Sequence, residues 1–235
     1  MLWESSAIQM KIIELSETDS TNEYCKRLDA DCDTLVTADR QSAGKGTKGR
    51  SFVSSEGGVY ISLMRFYNDF PASAAFKIMI NSCAAVCETV EKFGLNPVIR
   101  WSNDVLVNGK KICGTLIENI VRGGRIIKSI VGIGINVNNT LPPELKHIAT
   151  TMQAELGKSI SVSSVKKTLI SKLQKTYDIA VYKRYINWLG KNVVLKTAEG
   201  ETVAEALDIE DDGRLVCNIG GIKKKISSAE VSLRL

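Results

Sequence analysis

Three glycines alternate with three cations in one short stretch: Gly44, Lys45, Gly46, Lys48, Gly49 and Arg50, with Thr47 among them. Glycine lets a backbone approach a ligand closely, and its N–H groups can line an anion. Lys and Arg supply the counter-charge. The chemistry on offer is a cradle for phosphate or carboxylate; a flexible basic surface loop is the plainer alternative. Gly44, Gly49 and Ser51 fit the spacing of a Walker A loop, but Arg50 stands where its Lys belongs. Residues 59–65, which follow, read as a strand, whereas a P-loop must open a helix. An ordinary P-loop nucleotidase is therefore not expected.

A second segment places Asn103 and Asp104 between two strand-like runs and returns Lys110 and Lys111 through a turn at Asn108-Gly109. Asn-Asp at a strand junction suits a magnesium-bound phosphate or a ribose, and Lys111 suits a ligand carboxylate. Simple turn chemistry explains the same residues as well when they are read alone. A third segment holds Gly132, Gly134 and Asn136 at a strand end. Val137 stands where a dinucleotide fingerprint needs its last glycine, so these glycines mark close approach of another group.

Behind these residues the spacing predicts a strand at 11–15, then a helix at 20–29 opened by a capping box of Ser20 and Glu23. Strands follow at 34–38 and 59–65, with a polar loop at 39–58 between them. A helix spans 72–93 and ends at Gly94. Strands are predicted at 98–101, 105–107, 111–119 and 126–136, with hairpins at Asn108-Gly109 and Gly123-Gly124. A turn comes at Pro142-Pro143, and one long amphipathic helix at 162–189. Beyond Gly190 five short strands (193–197, 202–209, 214–219, 222–226 and 231–235) form a small all-β appendage.

The 235 residues carry 31 Lys+Arg, 26 Asp+Glu, one His and six Cys, for a net charge of +5. That length buries a substantial core without disulfides or structural metal. The apolar runs fall short of a membrane span, and residues 1–11 lack the pattern of a signal peptide. The expected setting is the reducing cytoplasm, with the cysteines as small buried thiols; Cys83 and Cys87 share a helix face, but His147 is the single histidine. One histidine also weakens any Ser–His or Cys–His nucleophile. The mild excess of positive charge suits phosphorylated ligands as well as nucleic acid.

Together the segments resemble one family, the biotin–protein ligases, in the short form without an N-terminal DNA-binding domain. Its members carry Asp-Ser-Thr-Asn, a Gly-Arg-Gly-Arg-x-x-Arg-x-Trp loop, Lys-Trp-Pro-Asn-Asp, a Gly-Lys-x-x-Gly hairpin and Gly-x-Gly-x-Asn. Here the same order runs through residues 19–22, 44–52, 100–104, 110–114 and 132–136. Over residues 190–235 the likeness is weaker and rests on 213–215 and 228–234.

The resemblance implies an α+β fold: a mixed, largely antiparallel sheet with flanking helices, like the catalytic domain of class II aminoacyl-tRNA synthetases. A catalytic domain would span 1–188 and a small β-barrel-like domain 189–235. It implies activation of biotin by ATP and magnesium as biotinyl-5'-adenylate, then transfer to one lysine of a biotin carboxyl carrier protein or domain, usually of a biotin-dependent carboxylase. Carried over position by position, Ser20, Thr21 and Gln41 hold the biotin head, and Gly44, Gly114, Gly132 and Gly134 wall its pocket. Lys45 and Lys111 meet the carboxylate and α-phosphate, with Arg50 supporting the loop. Gly46, Thr47, Asn103, Asp104 and Asn136 face the nucleotide, with Asp104 and Asn103 toward the phosphates and metal and Phe52 against the adenine. The catalytic set is Lys111, Lys45, Arg50 and Asp104, with no dedicated protein metal site.

The departures are Thr47 at the loop's second arginine, Phe52 at the Trp, Arg100-Trp101-Ser102 for Lys-Trp-Pro, and Cys113 before Gly114. The family includes monomers and homodimers, and the sequence does not choose between them. A lipoate–protein ligase-like acyltransferase is the nearest rival, and a basic RNA-binding module is the rival from another class. DNA and membranes are not expected partners, since no helix-turn-helix fits before Asp19.

Overall fold

The computed structural model describes residues 10–197, 200–227 and 232–234. The expectations for residues 1–9, for the turn at 198–199 and for 228–231 and 235 lie outside the described residues. No helix among the described residues is long and apolar enough to cross a membrane.

Seven strands form the main sheet: β1 (Lys11–Thr18), β2 (Thr34–Gln41), β3 (Val59–Pro71), β4 (Val98–Arg100), β5 (Asp104–Val107), β6 (Lys110–Arg122) and β7 (Arg125–Ile135). Their order is β1-β2-β3-β7-β6-β5-β4. Only β1 and β2 run parallel; every other pair is antiparallel. The two hairpin turns fall where Asn108-Gly109 and Gly123-Gly124 place them.

Alternation along the strands divides the sheet into two faces. Ile61 and Leu63 of β3, Val131, Ile133 and Ile135 of β7 and Cys113 of β6 belong to the main core. That face is covered by α2 (Phe76–Lys92), itself packed on α4 (Val162–Leu173) and α5 (Ile179–Arg184). The opposite face presents Met64, Ile130 and Val36, which pack with Cys25 of α1 (Thr21–Arg27) as a small second core. Since α1 is only seven residues long, it covers part of that face and leaves the rest open.

Three expectations change. The helix predicted at 162–189 is two helices, α4 and α5. The break follows from tertiary bonds: Asn81 Oδ1 on α2 accepts the Tyr177 backbone N–H at 2.7 Å, and the Asp178 side chain caps α5 by accepting from Val181 N. A short helix, α3 (Met152–Leu156), was not foreseen; Thr151 caps it. The third change concerns Ser20, which sits at the N-cap of α1 while its side chain makes no cap bond.

The second sheet is antiparallel, in the order β11-β10-β9-β8-β12, from β8 (Asn192–Lys196), β9 (Glu201–Ile209), β10 (Leu215–Ile219), β11 (Ile222–Ile226) and β12 (Ser232–Arg234). Among the described residues no pairing joins β11 to β12, so the sheet is open and not a closed barrel. It is bound to the first sheet at a polar seam. Trp101 Nε1 donates to the Gly213 carbonyl at 3.0 Å, Trp188 Nε1 to the Ile99 carbonyl at 2.7 Å, and Lys183 pairs with Asp208 at 2.6 Å.

Gly213 is required at that seam on two counts. Its φ is +87°, and a Cβ there would lie 2.2 Å from the Phe76 ring. Gly213→Ala is expected to destabilise the fold by about 2 kcal/mol, combining overpacking with left-handed strain. A lowered urea midpoint with an unchanged slope would show it.

Candidate active site

The open part of the sheet is floored by residues with little or no side chain. On β7, Gly132 and Gly134 alternate toward the α1 face; their neighbours in register are Ser62 and Tyr60 on β3 and Leu116 and Gly114 on β6. Each glycine is filled by a neighbour. A Cβ on Gly132 would stand 2.2 Å from Asn22 Oδ1, and one on Gly134 would stand 2.5 Å from the Phe52 ring. The glycines permit close approach, as their place within a strand suggests.

Over this floor lies a narrow cleft. Its walls include Ser20, Thr21 and Asn22 from the start of α1, Gln41 from the end of β2, and Lys45, Gly46, Thr47 and Phe52 from the loop. Asn103, Lys111 and Gly114 close the side toward β5 and β6. The head of the cleft is a hydrogen-bonded network. Gln41 Oε1 accepts from Thr21 N at 2.8 Å and Thr21 Oγ1 at 3.1 Å, and Gln41 Nε2 donates to Ser54 Oγ at 2.7 Å. Ser62 Oγ donates to Asn22 Oδ1 at 2.5 Å, and Asn22 Nδ2 to Glu118 Oε2 at 2.9 Å.

The loop is itself folded back as a narrow hairpin. Gly46 N donates to Arg50 O at 2.6 Å and Phe52 N to Gly44 O at 2.8 Å. Arg50 donates to the Thr47 carbonyl at 3.1 Å and to Thr47 Oγ1 at 2.8 Å, so it braces the loop from outside the cleft. Phe52 turns its ring inward over Gly134 and Gly114, edge-on to Tyr60 at 6.4 Å and 5.8 Å from Lys111 Nζ.

The charged end is built on Asp104. Lys111 Nζ lies 2.6 Å from its Oδ1, and Arg100 Nη2 donates to its Oδ2 at 2.7 Å. Lys111 and Gly114 are three residues apart, which in a regular strand would put them on opposite faces. The register slips between Val105 and Leu106, where Cys113 and Lys111 are the successive partners. This bulge brings Lys111 back to the cleft side. Its backbone is held on the other edge by Ile148 O and Thr150 N. Burial alone would raise the Asp104 pKa; the Lys111 charge beside it and the Arg100 bond outweigh burial and hold it below the ordinary 3.8.

Behind this end lie Cys83 and Cys113, both fully buried. Desolvation pushes the Cys83 thiol up to about 12 and the Cys113 thiol well above its usual value. At neutral pH neither is a thiolate nucleophile. Among the described residues no group of three His, Cys, Asp or Glu is arranged to hold a metal.

The structure thus gathers most of the predicted residues. Gly44 is displaced outward to a neighbouring groove that also borders Gln41 and Phe52. Asn136 lies off the cleft: it is buried, and its Oδ1 accepts from Asn139 Nδ2 at 3.2 Å. Missed by sequence reasoning are Asn22, Thr115 and Leu116. Asn22 stood inside the Asp-Ser-Thr-Asn motif, and Leu116 follows from period-2 alternation with Gly114.

The biotin/lipoate A/B protein ligase family profile matches residues 14–136, and that of the biotin protein ligase C-terminal domain matches residues 188–234. The chain belongs to this family. It is 34% identical to the bifunctional ligase/repressor BirA of Bacillus subtilis, over 93% of this chain and 72% of that protein. It is 26% identical to the biotin–[acetyl-CoA-carboxylase] ligase of Paracoccus denitrificans, over 92% of this chain and 98% of that one. In structure it is similar to the biotin protein ligase of Aquifex aeolicus solved with biotin and ATP. The TM-score is 0.77 at 30% identity, covering 95% of this chain and 98% of that chain.

The Asp104 carboxylate holds the two cations in place, and that role depends on pH. A carboxyl whose folded pKa is depressed stabilises the fold above its ordinary pKa and loses that effect as pH falls through the folded value. Asp104→Asn is expected to cost about 2 kcal/mol at pH 7, less than a fully buried pair because Lys111 and Arg100 are each 28% exposed. The gap between wild type and variant should narrow below pH 3.8. Urea midpoints at pH 7 and pH 3 measure it.

Proposed function

We propose that this chain activates biotin with ATP as biotinyl-5'-adenylate and then transfers the biotinyl group to a lysine of a biotin carboxyl carrier protein. The observation that carries the reading is the pairing, in one cleft, of an uncharged hydrogen-bonding head with a cationic end. The head is Ser20, Thr21 and Gln41 beside Gly132; the end is Lys111 and Asp104, with Lys45 on the loop paired to Glu23 of α1. An amphipathic acid fits the first by its neutral polar rings and the second by its carboxylate.

A carboxylate attacking the α-phosphate brings two negative groups together. In the first step a carboxylate oxygen bonds to the α-phosphorus as the bond to pyrophosphate breaks. Lys111 is proposed to sit at the oxygen shared by the two groups, held there by Asp104, and Lys45 to face it from the loop. Fixed cations of this kind lower the barrier because they are in place before charge develops. In the second step the carrier's amine attacks the acyl carbon, AMP leaves, and the amine gives up its proton. The substrate supplies the nucleophile, which agrees with the protonated state of the buried thiols. Gly46, Thr47 and Asn103 are proposed to line the nucleotide, with Phe52 offering its ring to the adenine. Arg50 acts through the loop. Asn136 is proposed to act behind the wall, since its side chain is bonded to Asn139.

Magnesium would enter with ATP. Asn103, whose Nδ2 donates to the Thr115 carbonyl at 2.9 Å, keeps its amide oxygen for that ion. Magnesium is held chiefly by the substrate phosphates and keeps several waters, so few protein oxygens are needed.

Biotin-dependent exchange of pyrophosphate into ATP tests the first step, with lipoate as the competing acid, and mass addition on a carrier tests the second. Exchange with lipoate in place of biotin would overturn the substrate assignment. Lys111→Ala is expected to remove exchange nearly completely while the circular dichroism stays unchanged; exchange retained in the variant would remove Lys111 from its role.

The loop's Thr47 makes a second prediction. A charge-assisted hydrogen bond contributes roughly 1.5–3 kcal/mol, so a cation here would retain adenylate roughly 10–150-fold better. Thr47→Arg is expected to slow adenylate dissociation by a factor in that range. Equal dissociation from the two proteins would count against it.

A further inference from the structure

Glu118 lies on β6 two residues beyond Leu116 and stands outside the lining of the cleft. Its Oε1 accepts from Lys26 Nζ at 2.6 Å and its Oε2 from Asn22 Nδ2 at 2.9 Å. A carboxylate bound to an ammonium only accepts, so Asn22 must turn its NH2 group to Glu118. The Asn22 Oδ1 is thereby directed to β3 and Gly132, where the missing side chain makes room for it. This oxygen also only accepts, so Ser62 spends its single hydroxyl hydrogen on it, at 2.5 Å. Ser62 Oγ lies 2.7 Å from Thr21 Oγ1 as well. The hydrogen in that second contact then belongs to Thr21, which shares it between Ser62 Oγ and Gln41 Oε1. None is left to point at a ligand, and Thr21 faces the cleft with a lone pair.

We propose that Glu118 is a positioning residue for specificity: acting through Asn22 and Ser62, it makes Thr21 Oγ1 an acceptor toward the ligand. The head of the cleft then selects a ring N–H over a ring oxygen. The proposal rests on the reading of the cleft as a biotin site, since the cyclic urea of biotin offers two N–H groups. Asn22, Thr21 and Ser62 are each no more than 3% exposed, so water does not reorient the chain of hydrogens. A reversed order leaves a buried group unpaired, which is costly. An amide at position 118 gives as well as accepts. Asn22 is then free to turn over, Ser62 to donate to Thr21, and Thr21 to donate to a ligand.

Two measurements on the full chain test this. Affinities are compared for biotin and for its two oxazolidinone analogues, in which ring oxygen replaces one or the other ureido N–H. Wild type is expected to bind one analogue more weakly than biotin. In Glu118→Gln that gap should narrow by about 3- to 10-fold, the worth of one neutral hydrogen bond. Ser62→Ala, which also frees the Thr21 hydrogen, should narrow it alike, and ATP affinity should hold in both variants. A merely structural role would weaken biotin and the analogues equally; that result, or an unchanged gap in either variant, would overturn the proposal. The second measurement is the NMR signal of the Asn22 side-chain amide in protein without ligand, expected to shift in Glu118→Gln. An unchanged signal would overturn the proposal at its first link. Absence of biotin binding by wild type would overturn the functional reading instead, and the Asn22 signal would still decide whether Glu118 orients that amide.

Discussion

One buried carboxylate fixes the charged end of this site. Asp104 is 8% exposed and takes Lys111 on one oxygen and Arg100 on the other. Without the cations, burial would raise its pKa; without the carboxylate, the Lys111 ammonium and the Arg100 guanidinium would stand together uncompensated. The arrangement therefore specifies positions more than it stabilises the fold. It sets where Lys111 stands relative to the cleft, and the β6 bulge makes that position reachable. Trp101, three residues before Asp104, is in turn held by the Gly213 carbonyl of the second sheet. A turn remote in sequence thereby supports the segment that presents Asn103 and Asp104.

The uncharged end obeys a different constraint, which is space. Three strand positions without side chains face the same way at Gly114, Gly132 and Gly134, and α1 covers only Gly132, through Asn22. A longer helix, or an alanine at any of the three, would fill the cleft with protein. Phe52 takes up part of that space in this structure, lying against two of the glycines with Lys111 at 5.8 Å. Ring and ammonium attract through the quadrupole of the aromatic face.

Much of this was legible because it is local. Strand alternation, the hairpin dipeptides and the Gly–cation loop are short-range patterns, and they placed the strands and most of the cleft's walls. What was not legible came partly from a partner distant in sequence: Tyr177 gives its N–H to Asn81, and a helix that periodicity joined is broken there. The rest came from local bonds that periodicity does not encode. Ser20 has the sequence of a cap, yet its backbone N–H bonds to Asp19, and its hydroxyl makes no cap bond where it faces the cleft. Asn136 shares a motif with Gly134 but bonds to Asn139, three residues further on.

The same distinction revises the meaning of the positive charge. Along the sequence, Arg40, Lys45, Lys48 and Arg50 face a single nearby acid, Asp39. In three dimensions Arg40 meets Glu17 at 2.5 Å and Lys45 meets Glu23 at 2.7 Å, each from an element more than twenty residues away. Part of the local charge is thereby offset at contact distance, so long-range steering of anions is a smaller effect than composition suggests.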